Sequence, residues 1–176
     1  MALQFLSGGG KKRDQIVAID LGTRNTKAVY VTRKGDSFAL AGFTILDAPV
    51  YDRSLSAEVL ADHLKIVMEQ LGARTKHVCM ALGPADSMLR HAELPMVAVN
   101  DMRQMLKFGS KNYLQQDLPD HLFDCHILSV PQGEAGKAGK CKVLVAGAKK
   151  PLITEIQSAV KQAGLHVDSI TSSLIG

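Results

Sequence analysis

Tryptophan is missing from this chain, aromatic residues make up only 5% of it, and cysteine occurs three times in 176 residues. Cys79, Cys125 and Cys141 are too widely spaced for a disulfide framework, and no C-x-x-C pair offers half of a structural zinc site. His121, Cys125 and His126 come closest to a ligand cluster, yet they read as ordinary strand residues. Three reduced thiols suit a reducing compartment. No apolar run approaches the length of a membrane span. The opening "MALQFLSGGGKKRDQ" does not read as a secretory leader, because its apolar run is short and precedes the positive charges.

Clustered positive charge is scarce as well. The net charge is +4, and Lys11, Lys12 and Arg13 supply three of those charges, which leaves +1 on the rest. A broad nucleic-acid-binding face needs grouped cations to displace phosphate counterions, so no nucleic-acid partner is expected. Residues 1–15, with Gly8–Gly10 followed by "KKR", read as a flexible tail.

What the chain does have is apolar content, 46% of its residues, enough to build a core. Ile16–Leu21 is a short apolar run typical of a covered strand. A second strand opens at Lys27, "RKGD" supplies a turn, and Ser37–Ile45 reads as a third strand. Ser56 is placed to cap a helix whose residues Leu60, Leu64, Val67, Met68 and Leu71 share one face, with Gly72 as its stop. His77–Leu82 is a fourth strand.

After Gly83–Pro84 the character changes. Met88–Leu94 reads as a strand, and Asn100 or Asp101 is placed to cap a helix reaching about Gln115. Leu122–Val130 and Lys142–Ala148 read as strands joined by the exposed hairpin "PQGEAGKAGKC". Pro151 suits the first turn of a further helix that Gly164 ends, and Leu165–Ile170 is a last strand. The chain closes on "SSLIG", where a new helix could begin, and the sequence is expected to continue into a second lobe.

The stretch "IVAIDLGTRNTKAVYV", Ile16–Val31, carries the chemistry. A phosphate chain needs backbone N–H donors that come close, a cation, and a carboxylate for the magnesium shell. Gly22 has no side chain to hold a phosphate away, and the N–H groups of Gly22, Thr23 and Arg24 are expected to form an anion-binding concavity. Lys27 supplies a point charge for the β- or γ-phosphate. Asp20, near the end of its strand, is placed to orient a Mg²⁺-bound water, since magnesium keeps most of its hydration shell.

Two competing motifs fail. "GEAGKAGKC" resembles a Walker A loop, but Gly133 and Gly139 are separated by five residues, Cys141 stands where Ser or Thr would ligate magnesium, and a strand follows. No G-x-G-x-x-G follows a strand.

The Ile16–Val31 stretch resembles the first phosphate motif of the actin-like ATPases, a group that includes actin, the heat-shock ATPase chaperones, FtsA and sugar kinases. The blocks "VCMALGPADSMLRHAELPMVAVNDMRQMLKFGSKNYL", "LFDCHIL" and "KVLVAGAKKPLITEIQSAVKQAGLHVDSI" are similar in order and spacing to the PilM family of type IV pilus and type II secretion assembly.

This resemblance implies an α/β (α+β) fold: an actin-like (RNase H-like) subdomain 1A over 16–83, an inserted β-α-β-β 1C (SHS2-like) subdomain over 84–165, and a return to 1A over 166–176. It implies ATP and Mg²⁺ as ligands and a cytoplasmic location, peripheral to the inner membrane through partners. Those partners would be the cytoplasmic N-terminal peptide of a PilN-type inner-membrane protein and other pilus-platform proteins. Two departures stand out. "FGSKNYLQQ", Phe108–Gln116, lacks the acidic residues usual there in the family, and Asp20–Gly22 is the only D-x-G in the chain, whereas actin-like proteins carry another in a second lobe. The alternatives are an FtsA-like division protein and the first lobe of a sugar or acid kinase. No side chain reads as a base that activates water, so the chemistry favours binding over turnover.

Overall fold

The computed structural model describes residues 13–50, 56–129 and 139–175. Residues 1–12 of the expected tail, Val130 of the expected strand and 131–138 of the expected hairpin loop lie outside them. The tail as read from sequence reaches too far. Arg13 makes two hydrogen bonds to Asp168, at 2.9 and 3.1 Å, and Gln15 already belongs to the first strand.

Strands β1 (Gln15–Leu21), β2 (Asn25–Lys34) and β3 (Ser37–Asp47) form an antiparallel meander. Helix α1 (Ala57–Leu71) then crosses over, so that β4 (His77–Leu82) lies parallel to β1. The chain leaves this sheet through β5 (Ser87–Pro95), α2 (Val99–Leu114), β6 (His121–Ser129) and β7 (Lys140–Lys149). It returns by α3 (Lys150–Gln162) to β8 (His166–Ser172), parallel to β4. The larger sheet has the order β3-β2-β1-β4-β8, and the smaller, antiparallel one has the order β5-β7-β6.

Local signals account for α1. The Ser56 hydroxyl accepts the Val59 N–H at 3.3 Å, and Gly72 sits in the left-handed region at φ 58°, where a side chain would be strained. A cap that no local motif announces joins them: the Ala57 N–H donates to Glu155 Oε2 of α3 at 2.8 Å.

Two cores result. Val17, Ile19, Tyr30, Val78 and Met80 of the larger sheet pack with Leu60, Leu64 and Val67 of α1 and Ile153, Ile156 and Val160 of α3. Met102, Leu106 and Leu114 of α2 pack with Leu94, Cys125, Val143 and Val145 of the smaller sheet. The sequence range 84–165 joins α3 to the inserted unit, but packing places α3 beside α1. The unit with its own core is the β-α-β-β segment Ser87–Lys149.

The cap of α2 differs from expectation too. Ala98 occupies the cap position with no side-chain bond, while Asn100 Oδ1 accepts from Arg103 Nη1 at 2.8 Å. Gly109 interrupts the helix at φ −134° and ψ 30°. In α3 Ile153, Ile156, Ala159 and Val160 are buried, and Leu152 is half-buried.

Candidate functional site at the carboxyl ends of the parallel strands

Register puts Asp20 directly across the ladder from Lys27, so both side chains leave the same face at the hairpin tip. Lys27 Nζ lies 3.9 Å from Asp20 Oδ2, at the outer limit of an ion pair. The other carboxylate oxygen, Asp20 Oδ1, is buried and has no hydrogen-bond partner among the described residues. A buried acceptor of this kind costs free energy until a donor reaches it.

Gly22 matters for space. A Cβ there would stand 2.7 Å from the Asn25 carbonyl oxygen, closer than real Cβ contacts allow. The expectation that the Gly22 N–H joins the anion concavity is corrected: it donates to Asn25 O at 3.2 Å and closes the tip. The Thr23 and Arg24 N–H groups make no backbone bond among the described residues, while Arg24 O accepts from the Ala48 N–H at 2.8 Å.

Because β1, β4 and β8 run parallel, their carboxyl ends meet at one edge, where open α/β sheets hold their ligands. A cleft of about 390 Å³ opens there. Asp20, Gly22, Thr23, Arg24 and Lys27 all line it, so the five residues chosen from sequence surround one space. The opposite wall is Gly83, Pro84, Ala85 and Ser173, which sequence reading did not assign. "GP" signalled a turn there, but nothing local said which strand ends would stand beside it.

That wall is tied together. Ser87 Oγ is within hydrogen-bond distance of Ser172 Oγ (2.8 Å) and of the Gly83 carbonyl oxygen (3.0 Å), and the Ser173 N–H donates to Leu82 O at 2.8 Å. The connection that carries the inserted unit therefore forms one side of the cleft.

Behind the tip, His63 of α1 holds β2. Its Nε2 lies 2.8 Å from Thr26 Oγ1, and both residues are buried. Desolvation by burial lowers the His63 pKa below its ordinary value of 6.5. A lowered folded pKa means that the unfolded chain binds the extra proton first. The stability from neutral His63 is thus complete above about pH 6.5 and is lost as pH falls through the folded value. Urea unfolding at stepped pH is expected to show this decline, and His63→Gln is expected to flatten it. An equal slope in the variant would remove His63 as its source.

The remaining candidates separate. Cys125 Sγ faces α2, 4.0 Å from Met102 Sδ, whereas the adjacent His126 is exposed. Burial, with Asp124 adding to it, pushes the Cys125 thiol up to about 11 against the pull of Arg103, so it stays protonated. Among the described residues no group of three or more His, Cys, Asp or Glu could hold a metal ion, and no helix is long and apolar enough to cross a membrane.

Residues 18–171 match the family model of type IV pilus assembly protein PilM. The chain belongs to the PilM family. That match runs through both the β1–β2 hairpin and the inserted unit. No curated protein matches the sequence significantly.

Two solved structures above a TM-score of 0.5 share the fold. A chain of the PilM–PilN type IV pilus biogenesis complex superposes with a TM-score of 0.74 at 20% identity, covering 93% of this chain and 48% of that one. The cytoplasmic domain of EpsL, an inner-membrane component of the type II secretion system of Vibrio cholerae, gives 0.56 at 15% identity, covering 90% and 57%. A Bacteroides thetaiotaomicron protein of actin-like ATPase fold and unknown function gives 0.45 at 15% identity, covering 90% and 52%. The chain thus spans about half the length of the solved chains it matches. Its architecture is the mixed α/β one of the PilM chain, a five-stranded sheet with a β-α-β-β insert.

Proposed function

We propose that this chain is the phosphate-gripping and peptide-binding part of a pilus-assembly scaffold. In this reading the cleft takes the phosphates of ATP with Mg²⁺, and the inserted unit together with the larger sheet receives the cytoplasmic N-terminal peptide of a PilN-type inner-membrane protein. Other pilus-platform proteins would dock on the same assembly, which places it in the cytoplasm beside the inner membrane.

The observation that supports the ligand reading is the buried, unpartnered Asp20 Oδ1 at the edge of a cleft that also exposes Lys27. Asp20 would hold Mg²⁺ through water, the Thr23 and Arg24 N–H groups would donate to phosphate oxygens, and Lys27 would balance their charge. Gly22 keeps the tip narrow enough for that approach. The metal supplies charge neutralisation of the phosphate chain when bound.

The peptide reading rests on membership of the family and on likeness to a PilM–PilN complex chain. The inserted unit has strands and a Met-containing helix that suit an extended peptide, and it is joined to the cleft wall through Ser87. Titration of the PilN-type N-terminal peptide into the full-length protein, with and without segment Ser87–Lys149, is the test. Binding is expected to vanish with the segment. A folded deletion that binds the peptide equally well would end the proposal.

A further inference from the structure

The β1–β2 hairpin carries two cations to the cleft, and among the described residues only Lys27 has a side-chain partner. The Gly22 N–H bond to Asn25 O closes the tip, which leaves Thr23 and Arg24 as its two-residue apex. The Arg24 backbone is held there, since its carbonyl oxygen accepts the Ala48 N–H at 2.8 Å. Its side chain is not. Arg24 is exposed, and among the described residues its guanidinium makes no hydrogen bond or ion pair. Arg13, Arg33, Arg90 and Arg103 each reach an oxygen of another residue. Arg74 also stands without one, but it precedes β4 and so belongs to the opposite end of the parallel strands.

Arg24 lines the same cleft as Asp20, whose Oδ1 is unpartnered, and as Thr23. An anion that enters to meet the Thr23 and Arg24 N–H groups therefore enters beside the guanidinium. Arg24 and Lys27 bring two positive charges against the one negative charge of Asp20, the only acidic residue lining this cleft among the described residues. The excess of one positive charge suits a polyanion.

The two cations stand at different depths. Lys27 faces Asp20 on the ladder, whereas Arg24 is three residues farther out at the apex. At about 3.4 Å per residue that is roughly 10 Å along the hairpin. A phosphate chain anchored at Asp20 and Lys27 meets the guanidinium only with its far end, and a shorter chain keeps the anchor but falls short of the apex. Their chemistry differs as well. Lysine offers a strongly hydrated point charge, whereas the arginine fork donates to two phosphate oxygens at once and is more weakly hydrated.

We propose that the Arg24 side chain makes the cleft selective for a nucleoside triphosphate over a diphosphate, by binding the terminal phosphate that the shorter chain lacks. The proposal rests on the reading that the cleft takes phosphates, and goes beyond it because Arg24 enters that reading only through its N–H.

Calorimetric titration of the full-length protein with Mg·ATP, Mg·ADP and magnesium tripolyphosphate is the test. The wild type is expected to bind ATP about tenfold more tightly than ADP, the gain from one charged contact to phosphate. Arg24→Gln is expected to remove most of that difference, weakening ATP and tripolyphosphate while leaving ADP unchanged. Arg24→Lys is expected to recover part of it, because a point charge does not grip two oxygens. Lys27→Ala, by contrast, is expected to weaken both nucleotides. Equal wild-type affinities for ATP and ADP would overturn the inference and leave the cleft reading intact, as would equal losses or no loss in Arg24→Gln. So would a lower unfolding midpoint of Arg24→Gln without nucleotide and an unchanged ATP-to-ADP ratio, which would pair Arg24 with the rest of the protein. A wild type that binds none of the three ligands would remove the cleft reading, and this inference with it.

Discussion

Replacing Arg103 with Met is expected to destabilise the protein by about 3–5 kcal/mol, because it withdraws the cation from a buried carboxylate. Asp124, in the middle of the edge strand β6, is 1% exposed. Its Oδ1 accepts from Arg103 Nε at 2.8 Å, lies 2.8 Å from Arg103 Nη2, and accepts the Cys125 N–H at 2.8 Å. Without the guanidinium the carboxylate keeps the bond to the Cys125 N–H but loses the charge of Arg103, and its desolvation is less well offset. The pair also fastens α2 to β6, so the loss falls on the unit proposed to receive the peptide. Urea denaturation measures it. Pairing Arg103→Met with Asp124→Asn is expected to recover part of the loss, since the buried charge then goes with its partner. A loss below about 1 kcal/mol in the single variant would mean that the pair behaves like an exposed one.

Lys27→Ala in the full-length protein is expected to weaken Mg·ATP binding roughly ten- to a hundredfold, because a charged hydrogen bond to phosphate is worth about 1.5–3 kcal/mol. Stability is expected to change little. The Lys27 side chain is 61% exposed and its contact to Asp20 is 3.9 Å long, so folding gains little from it. The effect should therefore appear in calorimetric titration and not in the unfolding midpoint. Gly22→Val provides a second measurement through shape, since its Cβ would stand 2.7 Å from Asn25 O and the tip must open. Unchanged affinity in Lys27→Ala would reduce the hairpin to an ordinary turn with a surface lysine.

What sequence determined here is what near neighbours control. Alternation delivers Asp20 and Lys27 to one face of a hairpin, and a glycine at position 22 leaves its tip narrow. Ser56 and Gly72 bound a helix whose apolar period is visible by itself. The inserted β-α-β-β order is equally legible, as are the boundaries of β4.

What only the tertiary structure decided depends on which strands become neighbours. Residues 83–85 and Ser173 form a wall because β4 and β8 end side by side, although some ninety residues separate them along the chain. Glu155 caps α1, His63 reaches Thr26, and Arg103 reaches Asp124 across distances that no local period encodes. The same limit applies to α3, whose amphipathic pattern shows that it buries one face but not against which core. Local backbone preference is written in adjacent residues, whereas burial is a property of whatever the finished chain brings alongside.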